Sequence, residues 1–149
     1  MSDRQREGYR MTSDAAQLDL ERVHQWLSEQ SYWAAGCTYD AVARSIKGSA
    51  PYGIFADAEQ VAFARVVTDE TTFCWICDVF VEQEHRGRGL GSWLIDSIVE
   101  DWSTIGVPRF LLATKDAHDV YRRCGFSPLE GVNRYLEIDR RPHRPHPTH

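Results

Sequence analysis

No apolar stretch in this chain approaches the roughly 20 residues that a bilayer span requires. The opening segment, MSDRQREGYRMTSD, lacks the apolar core of a secretory leader. The expectation is a cytoplasmic protein with no membrane partner. Cysteine is scarce. Cys37, Cys74, Cys77 and Cys124 are the whole supply, and in a reducing compartment they stay thiols. Basic charge is also short, at 17 Lys and Arg against 22 Asp and Glu, a net charge of −5. The last ten residues, RRPHRPHPTH, hold Arg140, Arg141 and Arg144 and no acid. The remainder therefore has 14 basic and 22 acidic residues, a net −8. A nucleic-acid surface needs a basic face, so no nucleic-acid partner is expected.

What is present reads as one domain. At 149 residues, the chain is long enough for one sizeable core. It has no internal repeat and no interdomain linker. Residues 1–8 read as a flexible N-terminal segment, 9–139 as the domain, and 140–149 as a flexible Arg/Pro/His tail with no native metal role. GYRMTSD offers a first strand. Asp19 reads as a helix cap, with Leu18 and Val23 placed as a hydrophobic staple. SYWAAGC breaks that helix, and TYDAVARSI offers a second. YGIFA, QVAFARVV and FCWICDVFV follow as three antiparallel hairpin strands. The last is apolar on both faces apart from Asp78, as a central strand would be. Leu94, Ile95, Ile98, Val99 and Trp102 form a helical stripe ended by Gly106 and Pro108. RFLLAT reads as a core strand, AHDVYRRCGF as a short helix closed by Gly125, and RYLEI as a last strand. The fold class is α/β, a mixed sheet flanked by helices.

The junction HRGRGLGSWL, residues 85–94, joins an apolar strand to a helix and carries Gly87, Gly89 and Gly91. A helix N-terminus leaves backbone N–H groups unpaired and carries partial positive charge, so it suits an anion. Glycine lets the backbone approach a ligand with no Cβ between them. Arg86 and Arg88 can add charge-assisted hydrogen bonds to phosphate oxygens. The junction reads as a pyrophosphate seat. It lacks the Lys-Ser/Thr ending of a P-loop. It also misses the dinucleotide fingerprint, which requires glycine where Ser92 stands.

Arg86-Gly87-Arg88-Gly89-Leu90-Gly91 resembles the Q/R-x-x-G-x-G/A signature of the GNAT superfamily of acetyl-CoA-dependent N-acetyltransferases. Ala117 to Phe126, with Tyr121 four residues before Gly125-Phe126, resembles its second signature. The order of strands and helices from about residue 9 to 138 is similar to the family's. The resemblance implies a GNAT fold with a mostly antiparallel central sheet. It also implies acetyl-CoA as co-substrate, no metal, and an amine acceptor that attacks directly.

By position, the resemblance assigns the pantetheine contacts to the backbone of Phe80 and Val81. The pyrophosphate falls to Arg86, Gly87, Arg88, Gly89, Leu90, Gly91 and Ser92. Tyr121 matches the residue that protonates the departing thiolate, and a phenol with a pKa of about 10 can do so at neutral pH. Tyr32, Trp33 and His118 are candidate substrate residues, the aromatic pair offering a cation–π wall. Asp78 has two readings, a base for the incoming amine or a structural partner of Arg65. Cys124 is a lesser alternative as a nucleophile. The Cys74–Cys77 spacing lies mid-strand, where residues three apart face opposite ways, so no thiol chemistry is expected. Family relatives are often dimers. A non-catalytic acyl-CoA sensor and a structural interaction domain are the rival functions.

Overall fold

The computed structural model describes residues 3–142. Its framework is one sheet whose six strands lie in chain order. They are β1 (Arg4–Arg6), β2 (Tyr9–Thr12), β3 (Ala50–Ala56), β4 (Glu59–Thr68), β5 (Cys74–Val81) and β6 (Phe110–Leu112). Neighbours are antiparallel from β1 to β5. Only β5 and β6 run parallel, because helix α3 (Leu90–Thr104) carries the chain back between them. The expected α/β mixed sheet is therefore what the chain builds. Residues 143–149, most of the expected tail, lie outside the described residues.

The sheet has a core on each face. Leu18, Val23, Trp26, Leu27, Val42 and Ile46 pack on Phe63 and Phe80. Leu18 precedes helix α1 (Leu20–Gln25); the others come from α1, its continuation as a π-helical turn over Trp26–Gln30, and helix α2 (Tyr39–Lys47). The predicted start of α1 forms as read. Asp19 accepts a hydrogen bond from the Arg22 N–H at 3.1 Å, and Leu18 and Val23 are both buried. The other core joins Tyr52, Ile54, Val61 and Val66 to Leu90, Leu94, Ile95, Ile98 and Trp102 of α3. A last short helix, α4 (His118–Arg123), follows β6. It ends at Gly125 with φ +99°. No described helix is long and apolar enough to cross a membrane.

Four expectations are corrected. Residues 1–8 were expected to be loose, yet Arg4–Arg6 pairs with Tyr9–Met11 as a hairpin. A polar strand of this kind is held by side chains. Arg4 donates to both carboxylate oxygens of Asp101, at 2.7 and 3.1 Å, and Asp101 also accepts from the hydroxyl of buried Tyr52 at 2.9 Å. RYLEI is not a strand. Leu136 and Ile138 are 97% and 80% exposed, and no described strand pairs with them. RFLLAT, expected as a core strand, supplies β6 at the end of the sheet, where Phe110–Leu112 are only half-buried. FCWICDVFV is not buried on both faces, since Trp75 is exposed.

Asp101 thus ties the N-terminal hairpin, β3 and α3 together. Burial first, then the bond to Asp101, pushes the Tyr52 phenol pKa far up, so this hydroxyl stays a donor throughout the accessible pH range. Replacing Asp101 by alanine strips a buried hydroxyl and a half-buried guanidinium of their acceptor. The expected cost is about 2–4 kcal/mol, read as a lowered urea midpoint at unchanged slope. An unaltered midpoint would show that the hairpin is held elsewhere.

Candidate active site

The strand β5 departs from regular pairing at one place. Its register with β4 runs Phe63 opposite Phe80 and then Arg65 opposite Cys77. Two residues, Asp78 and Val79, therefore stand against the single residue Ala64, which is a β-bulge. Asp78 takes φ +56°, a left-handed conformation that aspartate tolerates better than most side chains. The side chain is pinned at both oxygens. Arg65 Nε donates to Oδ2 at 2.6 Å and Trp33 Nε1 to Oδ1 at 2.7 Å. The Arg65 and Asp78 side chains are only 18% and 10% exposed.

On the other side of β5, pairing with β6 runs from Cys74–Phe110 to Ile76–Leu112. Beyond it the strands part around a cavity of about 640 Å³. Tyr32, Trp33, Trp75, Lys115, Asp116 and Tyr121 are among its lining, together with the Arg65–Asp78 pair. The half-buried Tyr121 stands on α4 with its ring edge-on to Phe126, the centroids 6.1 Å apart. Burial raises its phenol pKa, and Cys124, Tyr32 and Asp116 add to the rise. The hydroxyl is accordingly a proton donor at neutral pH.

Of the sequence-derived candidates, Tyr121, Asp78, Tyr32 and Trp33 come together on this cavity. Tyr32 and Trp33 meet edge-to-face at 5.1 Å. His118 does not join them. It is exposed at the first position of α4 and is not part of the cavity lining. Sequence reading also missed Lys115, whose ammonium lies 5.1 Å from the centroid of the Tyr32 ring. Its position depends on how the chain turns between β6 and α4, which no local pattern announces. Asp78 is paired as the structural reading expected, with Arg65, and Trp33 is a second partner. With both oxygens engaged, it holds the bulge and the Trp33 indole in place.

The glycine junction lies at the far end of β5. Gly87 and Gly89 adopt φ +79° and +76°, where a Cβ would strain the backbone. Gly91 has ordinary helical geometry and belongs to α3. Gly89 caps α3 without any side-chain hydrogen bond, and no acidic residue lies in the first turn. The N–H groups of Leu90, Gly91 and Ser92 thus head a fifteen-residue helix with no side-chain acceptor. Leu90 is buried in the core and offers only its backbone. The Phe80 ring stacks on Trp26 at 5.3 Å.

The two arginines are placed differently from the simple phosphate-clamp expectation. Arg86 Nε donates to the Val81 carbonyl at 2.9 Å, and its guanidinium lies 5.4 Å over the Phe80 ring. Arg88 donates to the Tyr9 hydroxyl at 2.9 Å, and that hydroxyl also meets His85 Nδ1 at 2.8 Å. Arg6 lies over the Trp93 ring at 4.8 Å and borders Gly89. The first hairpin therefore braces the junction, a role invisible in the motif. Ser92 and Asp96 both act on the Cys124 thiol. Burial first, and Asp96 next, raise that thiol's pKa, which makes it a poor nucleophile.

The backbone cradle suits a diphosphate, since it offers unpaired N–H groups, two left-handed glycines and neighbouring guanidiniums. Comparison with known proteins agrees with this geometry. The profile of the Acetyltransferase (GNAT) family matches residues 20–126. A Gibberella zeae protein that bears the acetyltransferase name is 26% identical over 153 aligned residues, 88% of this chain and 82% of the relative. A solved GNAT-family structure from Xanthomonas campestris pv. campestris is 40% identical, with a TM-score of 0.84 over 88% of this chain and 92% of that one. A Deinococcus radiodurans structure at 16% identity shares the fold, with a TM-score of 0.71 over 94% of each chain. The profile covers well over half of the chain, and the protein belongs to the GNAT acetyltransferase family.

Proposed function

We propose that the protein is an N-acetyltransferase that moves the acetyl group of acetyl-CoA to an amine by direct attack. The observation that carries this reading is the Tyr121 hydroxyl. It is half-buried, kept protonated, and faces the cavity where β5 and β6 part. The family supplies acetyl-CoA as the acyl donor. The amides of Gly87, Gly89, Leu90, Gly91 and Ser92 would hold its diphosphate, with Arg88 and Arg86 beside them. The free edge of β5 past Ile76, reaching Phe80 and Val81, would take the pantetheine arm by backbone hydrogen bonds.

In the reaction, the neutral amine nitrogen bonds to the acyl carbon as the carbon–sulfur bond breaks. Tyr121 donates its proton to the leaving sulfur, and the amine loses one to solvent. Asp78 keeps the bulge and Trp33 in register and moves no proton. The reading thus departs from a carboxylate base at this position.

Replacing Tyr121 by phenylalanine removes the donor and keeps the ring. Turnover should fall about 100-fold, with CoA affinity by calorimetry unchanged. Full turnover in the variant would end the acid assignment. A protein that binds CoA and releases no thiol with any amine would instead be a sensor on the same fold.

The pH profile separates the acceptor from the enzyme. With no carboxylate base, kcat/KM should climb through the acceptor's own ammonium pKa, about 8–10 for common amines. A raised Tyr121 pKa keeps the hydroxyl protonated past the usual tyrosine value, so the falling limb should lie above about pH 10. A rising limb at about pH 4–6 that vanished in Asp78→Asn would restore the base role.

Gly89→Val forces a branched side chain into a left-handed turn at the diphosphate seat. It should weaken CoA binding at least about tenfold, and unchanged affinity would place the diphosphate elsewhere.

A further inference from the structure

The charges on the wall of the cavity are not evenly spent. Arg65 and Asp78 neutralise each other at 2.6 Å, and Arg141 is taken by Asp139 at 2.5 Å. Two lining charges remain, Lys115 and Asp116, and neither forms a salt bridge among the described residues. They are consecutive, yet their surroundings differ. The Lys115 ammonium lies over the Tyr32 ring at 5.1 Å. Asp116 acts electrostatically on the Tyr121 phenol. The wall therefore presents an acid and a base side by side, both exposed, with the Lys115 ammonium held towards the aromatic rim. The other titratable groups on the lining are the Tyr32 and Tyr121 phenols and the Cys77 thiol, whose pKa burial raises. Three aromatic side chains at this mouth, Tyr32, Trp33 and Trp75, remain substantially exposed.

A ligand complementary to this wall carries a charge of each sign and an apolar body. We propose that the acceptor is a zwitterionic amine, with a carboxylate or phosphate-type anion on the carbon that bears the nitrogen and an apolar or aromatic side chain. Asp116 draws the ammonium towards Tyr121, Lys115 pairs with the anion, and the three rings cover the side chain. Once bound, the ammonium loses its proton to solvent before attack. The inference rests on the acetyltransferase reading of the same cavity.

The test uses three probes that share one ring and one amine: phenylalanine, its α-aminophosphonate analogue, and phenethylamine, which has no anion. Each is titrated by calorimetry into the full chain saturated with CoA, and each is assayed separately for thiol release from acetyl-CoA. At least one anionic probe should bind about tenfold more tightly than phenethylamine, and which of the two does so identifies the anion. Lys115→Ala should erase that preference while leaving phenethylamine unaffected. Asp116→Asn should weaken all three. Equal or better binding of phenethylamine, a preference that survives in Lys115→Ala, or no binding of either anionic probe overturns the proposal. Lys115-dependent binding without thiol release would uphold the zwitterion site on this wall and defeat the catalytic reading. Thiol release with phenethylamine alone would do the reverse.

Discussion

The bulge at Asp78 is the constraint on which the rest of the site depends. A regular β5 would continue its ladder without offering the Asp78 carboxylate to Trp33. One inserted residue changes that, and the carboxylate at its centre is fixed from two directions, by a neighbouring strand and by the loop after α1. The bulge and the loop are thus positioned by one side chain. The loop brings Tyr32 with it, and α4 brings Tyr121 from the far side. The pocket is assembled from five separate stretches of chain, and the ion pair makes two of them a unit.

The glycine junction obeys a different logic. What it offers is backbone N–H groups at the head of α3, and side chains shape and support the turn. Arg86 leans on Phe80 and the Val81 carbonyl, and Arg88 leans on Tyr9. Each guanidinium has further N–H groups beyond those bonds that take no partner among the described residues. Held this way, positive charge stands near the turn without filling it.

How much of this the sequence disclosed follows from how local each interaction is. The Asp19 cap with Leu18 and Val23, the strand–glycine–helix junction, and Tyr121 before Gly125 depend on residues within a few positions, and all were legible. Arg4 with Asp101 spans 97 positions, so a polar triplet gave no hint of a strand. RYLEI alternates as a strand should, but alternation says nothing about whether a partner edge lies within reach. His118 and Tyr121 share helical spacing, yet α4 has only six residues, and the cavity wall passes through Ala117 and Tyr121 without taking in His118. For Asp78, an isolated acid in an apolar strand pointed to something unusual. Pairing with Arg65 is one of its two readings, and the fold adds Trp33 as a second partner.

The hairpin at the start of the chain has a practical consequence for anyone trimming the protein. The family profile begins at residue 20, which makes that position look like a natural boundary. A truncation there would delete β1 and β2, uncover the outer edge of β3 and leave Asp101 with Tyr52 but without Arg4. It would also remove Arg6 and Tyr9 from beside the glycine turn. A shortened product of that kind would keep every signature residue yet lose the brace that holds two of them.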